Sequence, residues 1–231
     1  MTNALFVAYR SGDEQKGKWA PVGKLEYGNG IYRFVYLHGA RDLPDFAPFP
    51  AMTDLEAVYE SVELFPFFAN RLLAKSRPEY QQYLAWSGFD PEATPDPIAV
   101  LGITEGRRAT DSFELFPCPS ADADGNYVNK FFVHGIQWIS QDAQKRIGEL
   151  QPGEQLKIML DVVNDYDPNA VAVRTNDTSN RMLIGYIPRY LARDVQELCK
   201  TRTPDFIKVT VERVNPNAPL QQRLLCKMKA N

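Results

Sequence analysis

The stretch NDYDPNAVAV at residues 164–173 places a run of turn-forming residues directly before an alternation of small and β-branched side chains. Asn, Asp and Pro favour tight turns, because their side chains bond the local backbone or fix φ. Residues 170–173 are typical of a buried strand, and the preceding LKIMLDVV at residues 156–163 predicts a second strand. The sequence therefore predicts a polar loop, carrying Tyr166 and Asp167, that is held between two strands.

Length and composition limit the class of protein. The 231 residues, 44% of them hydrophobic, allow one or two domains with a proper core. We expect no membrane partner and no export, since no run of eighteen apolar residues and no signal-peptide pattern occurs. The three cysteines and two histidines are widely spaced. This pattern favours the reducing cytoplasm and predicts neither a metal site nor a cofactor.

Charge is distributed unevenly along the chain. Residues 1–128 carry 11 Lys and Arg against 18 Asp and Glu, a net −7, whereas residues 129–231 carry 15 against 11, a net +4. Ordinary surface variation is one explanation, and a second domain that meets an anion such as nucleic acid is the other. Between the halves, PCPSADADG at residues 117–125 has the composition of a linker. We therefore predict two domains, at residues 1–120 and 128–231.

The first half is predicted to begin with strands and to continue with helices. Asn29-Gly30 is a hairpin signal between two alternating segments, because both residues tolerate positive φ. A helix is predicted from Ser76, as N-cap, to Gly88, and Asn70 and Arg71 are expected on a solvated helix face.

Four segments of this half resemble a known family. They are VGKL at residues 22–25, YRFVY at 32–36, PFP at 48–50 and FFANRLL at 67–73. Over roughly residues 5–117 the chain resembles the N-terminal β-rich subdomain of HipA-type toxin kinases. No glycine-rich phosphate loop followed by Lys and Ser or Thr is present. The resemblance therefore implies a non-catalytic module that contacts a partner protein.

The second half predicts several short strands and two helices. A strand over residues 127–139 is interrupted at Gly135, where an interior glycine marks a bulge or a close ligand. Helices are expected after Ser140 and Pro188, and a final strand over residues 220–228. The predicted fold class is α+β with two small β-rich domains. The C-terminal one is expected to be an OB- or SH3-like β-barrel with two helices.

Four motifs of the second half also resemble a family. They are GIQW at residues 135–138, PGE at 152–154, NDYDPNAV at 164–171 and IGYIPR at 184–189. Residues 129–231 closely resemble the HIRAN domain. The resemblance implies an OB-like barrel that grips the 3′-hydroxyl end of single-stranded DNA. It also implies a binding protein rather than an enzyme, since helicase and nuclease domains of larger relatives have no counterpart in this sequence.

The resemblance and the residue chemistry together predict a nucleic-acid site. Trp138 and Tyr166 can stack on bases, Asp167 can accept a bond from a 3′-OH, and Arg189 can hold a phosphate. Where DNA-gripping relatives have Arg this chain has Gln137, and Ile139 replaces a second aromatic, so part of the grip is lost. The predicted site comprises Gly135, Gln137, Trp138, Asn164, Tyr166, Asp167, Asn169, Tyr186 and Arg189.

Other interpretations of these residues stay open at this point. Tyr166 and Asp167 could serve only the turn, Trp138 could be partly core, and Tyr186 could be half-buried with its hydroxyl bonded internally. The alternative function is a protein-interaction or regulatory module of a toxin–antitoxin or defence system with a degenerate DNA pocket. An enzyme is disfavoured, because no Ser-His-Asp set or flanked carboxylate pair stands out.

Overall fold

The computed structural model describes residues 4–12, 18–201 and 206–230, which form two compact units. The first unit is Met1–Tyr83 with Asp90–Cys118, and the second is Leu84–Phe89 with Pro119–Asn231. Each unit contains one β-sheet and its own hydrophobic core. In the described ranges no helix has the length and apolar character needed to cross a membrane. The exact domain limits at residues 120 and 128 stay a prediction.

The first unit is built on a five-stranded antiparallel sheet in the order β4-β3-β2-β1-β5. Its strands are β1 (Ala4–Ser11), β2 (Lys18–Gly28), β3 (Ile31–Tyr36), β4 (Val58–Ser61) and β5 (Phe113–Pro117). The hairpin predicted at Asn29-Gly30 is confirmed, with φ of 53° and 79° at the two residues. Positive φ at both central positions matches the twist of the flanking strands.

In the described residues before β5, the chain forms four helices. They are α1 (Gly39–Asp42), α2 (Pro66–Ala69), α3 (Tyr80–Trp86) and α4 (Pro97–Thr104). The N-cap predicted at Ser76 is wrong, because α3 begins four residues later. Pro78 disfavours helical dihedrals at the residue before it, so the helix starts beyond the proline. The glycine predicted to end this helix is confirmed at Gly88, which has φ of 78°.

The core of the first unit is aromatic, and it contains one arginine. Phe34, Phe49 and Phe68 are fully buried beneath the sheet. Arg71, predicted on a solvated helix face, is instead 7% exposed, whereas Asn70 is exposed. Arg71 is buried because Asp111 pairs with its guanidinium, a long-range contact that the local sequence does not indicate.

The second unit contains a six-stranded antiparallel sheet in the order β6-β11-β10-β7-β8-β9. Its strands are β6 (Tyr127–Phe132), β7 (Gln155–Leu160), β8 (Val171–Thr175), β9 (Leu183–Tyr186), β10 (Ile207–Val214) and β11 (Leu224–Ala230). The two predicted helices are α5 (Gln141–Glu149) and α6 (Arg189–Thr201). α5 follows Ser140 as predicted, and Ser140 caps it, since its hydroxyl accepts from the amide of Ala143.

This sheet curls into a half-barrel whose two edges meet at one residue pair. His134, just after β6, and Tyr186 of β9 exchange two backbone hydrogen bonds of 2.9 Å. Gly185 has φ of 142°, and a Cβ there would overlap the carbonyl oxygen of His134. Only glycine therefore permits this close approach of the two edges. The finer assignment to an OB- or SH3-like barrel stays a prediction.

Three strand limits in this unit differ from the sequence prediction. The strand predicted over residues 127–139 ends at Phe132, because Gly135, at φ of 74°, turns the chain into a 3-10 turn, Ile136–Trp138. The strand before the polar loop ends at Leu160 rather than residue 163, since the chain enters the loop there. The last strand begins at Leu224, after a second 3-10 turn at Leu220–Gln222.

Candidate nucleic-acid interface

The polar loop between β7 and β8 is closed by its own side chains. The Asn164 Oδ1 accepts from the amides of Tyr166 and Asp167, each at 3.0 Å. The Asp167 Oδ1 accepts from the Asn169 amide at 2.9 Å. The backbone closes the base of the loop, where the Asp161 amide donates to the Ala170 carbonyl at 3.0 Å. Asn and Asp therefore act here as turn formers, which rigidifies the loop before any ligand binds.

Arg189, at the start of α6, forms two hydrogen bonds to the loop. Its Nε donates to Asp167 Oδ2 at 3.1 Å, and its Nη2 donates to the Tyr166 carbonyl at 3.1 Å. The side chain of Asp167 is 16% exposed and that of Arg189 is 44% exposed. A guanidinium has five N–H donors, so these two bonds leave three for a ligand. Arg189 thus combines a structural role with capacity for a phosphate.

Tyr186 joins the loop to the closing edge of the half-barrel. Its hydroxyl donates to Asp161 Oδ2 at 3.0 Å, and Asn164 Nδ2 donates to the same oxygen at 3.0 Å. Burial raises the pKa of Tyr186, and the bond to Asp161 raises it further. The hydroxyl therefore stays protonated at neutral pH and remains a donor. The interpretation of Tyr186 as half-buried with its hydroxyl bonded internally is confirmed.

Gly135, Gln137 and Trp138 lie on the 3-10 turn that follows β6. A Cβ on Gly135 would lie 3.1 Å from the Tyr186 ring, so glycine lets this turn approach Tyr186. The Gln144 side chain, from α5, donates to the carbonyls of Ile136 and Ile139 at 3.1 and 3.4 Å. Gln137 and Trp138 are exposed. The interpretation of Trp138 as partly core is wrong, because its side chain is 83% exposed.

Contacts therefore connect most of the predicted site residues. A continuous series runs from Gly135 to the Tyr186 ring, through Asp161 to Asn164, and on to the loop and Arg189. Gln137 and Trp138 are connected to this group through the backbone of the turn that begins at Gly135. Asn169 belongs to it through its backbone amide.

Two residues that support the site through hydrogen bonds were not predicted from the sequence. Asp161 was assigned to a strand, yet it accepts from both Tyr186 and Asn164. Gln144 was treated as an ordinary helical residue, although it supports the turn that carries Trp138. The only local signal for Asp161 is a carboxylate directly after an apolar run, and its partner Tyr186 lies 25 residues further on.

The surface of the loop is apolar and acidic. Val162 and Val163 are 79% and 83% exposed, and Tyr166 is 75% exposed. Asp161 lies beside the loop and Asp167 lies in it. The guanidinium of Arg189 donates to the Asp167 carboxylate and to the Tyr166 carbonyl. Away from Arg189, this surface favours flat or apolar groups over phosphates. Within the described ranges no group of three or more His, Cys, Asp or Glu is placed to hold a metal ion.

Comparisons with known proteins address the second unit. A family model described as the HIRAN domain matches residues 127–229. A search of curated proteins found no match. Among solved structures, the chain is similar to a protein from Lactobacillus plantarum, with 21% identity, a TM-score of 0.36 and coverage of 46% of this chain and 97% of the other. It is also similar to the HIRAN domain of human HLTF, with 18% identity, a TM-score of 0.33 and coverage of 45% and 74%.

These comparisons distinguish the two resemblances found in the sequence. The resemblance of residues 5–117 to HipA-type kinases receives no support from them and stays a prediction. The motifs of the second half lie inside the matched range, from Gly135 to Arg189. Residues 127–229 thus match the HIRAN domain that those motifs predict.

Proposed function

We propose that the second unit binds single-stranded DNA by stacking bases on the rings of Trp138 and Tyr166. The observation that carries this proposal is their exposure, 83% and 75%. Both rings stand on loops held by side-chain hydrogen bonds, from Gln144 and from Asn164. Burying a large apolar side chain is worth ~1.5–3 kcal/mol, so exposed rings on a rigid frame are characteristic of a binding surface.

The electrostatics of the loop favour bases over phosphates. Asp161 and Asp167 would repel a backbone phosphate placed directly on the loop, whereas a base presents a neutral π-face. Base faces are accessible in single strands, and stacking tolerates any sequence. Binding rather than catalysis is the activity we propose. The three cysteines in the described ranges are all free, which fits the reducing cytoplasm.

Removing either ring is expected to weaken binding of a single-stranded oligonucleotide by about 5- to 150-fold, since one stack is worth ~1–3 kcal/mol. Trp138→Ala and Tyr166→Ala are the test variants, and fluorescence anisotropy measures the affinity. Trp138→Phe should keep most of the affinity, because it retains a π-face. Val62→Ala, at a valine of the first unit that is 77% exposed, is the matched control and should leave affinity unchanged. Wild-type affinity in both ring variants would contradict the proposal.

We further propose that the site prefers a free 3′-OH end. Both oxygens of Asp167 already accept one bond, from the Asn169 amide and from Arg189. A carboxylate offers about four lone-pair positions, so acceptance from a terminal hydroxyl remains available. A 3′-phosphate would instead bring negative charge against the carboxylate.

The wild type is therefore expected to bind a 3′-OH oligonucleotide at least tenfold more tightly than the 3′-phosphate form, since a bond to a charged group is worth ~1.5–3 kcal/mol. Asp167→Asn should reduce this preference, because it removes the charge while keeping an acceptor for the Asn169 amide. Asp165→Asn makes the same charge change in the same loop and should preserve the preference. Equal binding of both ends by the wild type would exclude end recognition and leave the stacking proposal intact.

A second candidate function is a protein-interaction or regulatory module of a toxin–antitoxin or defence system. The exposed Val162 and Val163 favour it, since apolar side chains on a loop suit a protein partner. The first unit would then supply further contacts to that partner. This function predicts that Val162→Ala weakens partner binding, while none of the loop variants alters oligonucleotide affinity.

A further inference from the structure

The outer face of the second sheet carries a row of cations across four neighbouring strands. Lys157 of β7 lies opposite Arg174 of β8, and Lys208 of β10 lies opposite Lys229 of β11. Leu156 pairs with Val209 where β7 meets β10, so the next position places Lys157 beside Lys208. We call Arg174, Lys157, Lys208 and Lys229 the cationic row.

Alternation along the strands places the cationic row outside the half-barrel. Val173, Val209 and Met228 are each adjacent in the chain to a member of the row, and all three are buried in the core. Successive side chains of a strand point to opposite faces, so the row points away from that core. Lys208 and Lys229 are exposed accordingly.

A second cationic pair lies next to the row on the same face. Lys227 of β11 is opposite Lys130 of β6. Two acidic groups lie near the lysines of this face: Glu212 pairs with Lys130, and Asp122 interacts electrostatically with Lys229. Among the residues that the structure describes, none forms a salt bridge with Lys208 or Lys227.

Cross-strand pairs of this kind are unfavourable in a sheet without a ligand. Like charges directly opposite one another destabilise an antiparallel pair. The first sheet of the same chain avoids them, because Arg33 lies opposite Glu26 on one side and Glu60 on the other. The second sheet has the reverse arrangement, with Lys208 opposite Lys229 and Lys130 opposite Lys227. A polyanion laid over this face would turn the repulsion into attraction.

The cationic row continues the candidate interface. Ala172 pairs with both Met159 and Tyr186, and it lies two residues before Arg174 on β8. Residues two apart on a strand share a face and are separated by roughly 7 Å. The row therefore begins about 7 Å along β8 from Ala172, the cross-strand partner of Tyr186, and extends across four strands for roughly 14 Å.

We propose that the cationic row binds the phosphodiester backbone of a single-stranded nucleic acid whose terminal bases occupy the Trp138 and Tyr166 site. The proposal rests on the proposed function and extends it, because the loop binds bases and the row binds phosphates. It also explains the excess of Lys and Arg over Asp and Glu in residues 129–231, since the acidic loop itself does not bind phosphates.

The test compares two double variants with the same loss of charge. Lys208→Gln with Lys229→Gln removes the centre and end of the row. Lys145→Gln with Lys200→Gln removes two lysines of α5 and α6, whose side chains are 75% and 60% exposed and paired within their own helices. Affinity is measured over a range of salt concentrations, with oligonucleotides of about 4 and about 16 nucleotides, which span known site sizes.

The row variant is expected to lose affinity for the longer oligonucleotide and to flatten its salt dependence. Each lost phosphate contact lowers the slope of log K against log salt by about 0.7 for a single strand, so the change is about 1.4 for two contacts. The control variant should keep the wild-type slope, and the shorter oligonucleotide should bind all three proteins alike. The row variant should also unfold at a higher temperature in low salt, because repulsion is relieved, and this confirms that it is folded.

The remaining outcomes test the cationic row separately from the stacking site. Equal loss in the row and control variants would overturn the cationic row, since net charge alone would then explain the effect. Loss of binding to anionic phospholipid vesicles, with oligonucleotide binding intact, would overturn it in favour of a membrane surface. An unchanged row variant beside a weakened Trp138→Ala would overturn the row alone. A weakened row variant beside an unchanged Trp138→Ala would support the row and reject the stacking site.

Discussion

Replacing Asp111 by alanine is expected to lower the free energy of unfolding of the first unit by about 3–5 kcal/mol, the cost of leaving a buried charge without its partner. The Arg71 side chain is 1% exposed. Its two terminal nitrogens donate to the two Asp111 oxygens at 3.2 and 2.8 Å, and Nη1 also donates to the Gly106 carbonyl at 2.9 Å.

Apart from Asp111, two aromatic rings lie close to the Arg71 guanidinium. The guanidinium lies 4.2 Å from the centre of the Phe67 ring and 5.4 Å from that of Phe113. Burial lowers the pKa of Arg71, and the bond to Asp111 opposes that shift. Arginine nevertheless keeps its proton in proteins, so the charge cannot be relieved by titration.

Arg71→Met is expected to cost less than Asp111→Ala, because it removes the buried charge and leaves an aspartate that is 25% exposed and can be hydrated. Asp42→Ala, at an exposed aspartate of the same unit, is the matched control and should change stability by less than ~0.5 kcal/mol. Hydrogen exchange of the β1 to β5 amides under increasing urea reports the first unit separately. Equal losses in Asp111→Ala and Arg71→Met would show that packing, rather than charge compensation, sets the cost.

Gly185→Ala is expected to destabilise the second unit by roughly 2–6 kcal/mol, the combined cost of overpacking and of a strained backbone. A Cβ at this position would overlap the His134 carbonyl and Val133 Cγ1, and the φ of 142° is one that side chains rarely adopt. The His134–Tyr186 pair that joins the two edges of the half-barrel must then separate. Because Tyr186 holds Asp161, oligonucleotide binding should fall with stability.

The matched control for this substitution is Gly148→Ala. Gly148 lies within α5, and a Cβ added to it would meet no atom within 4 Å. Its φ is also an ordinary one, so alanine there should stabilise the unit by about 0.5–1 kcal/mol through helix propensity. Urea unfolding followed by hydrogen exchange of β6 and β9 measures both variants. Wild-type stability in Gly185→Ala would mean that the two edges can separate without cost.

Features that depend on neighbouring residues were predictable from the sequence. Asn29-Gly30 forms its hairpin, Ser140 caps α5 and Gly88 ends α3, because each uses dihedral preferences or hydrogen bonds within a few residues. The polar loop between two strands was predicted for the same reason, since Asn164 and Asp167 bond amides two or three residues ahead. The motifs around them were sufficient to predict the match of residues 127–229 to the HIRAN domain.

Features that depend on partners distant in the chain were decided by the tertiary structure. A partly buried position for Trp138 and a solvated one for Arg71 were plausible locally, yet Trp138 is exposed and Arg71 is buried. Arg71 is hydrogen-bonded to Asp111, 40 residues away in the chain, and Tyr186 is hydrogen-bonded to Asp161, 25 residues away. Strand register likewise aligns Lys157 and Arg174 with Lys208 and Lys229. Local sequence specifies dihedral angles, whereas burial, ion pairing and cross-strand charge depend on which segments the fold brings together.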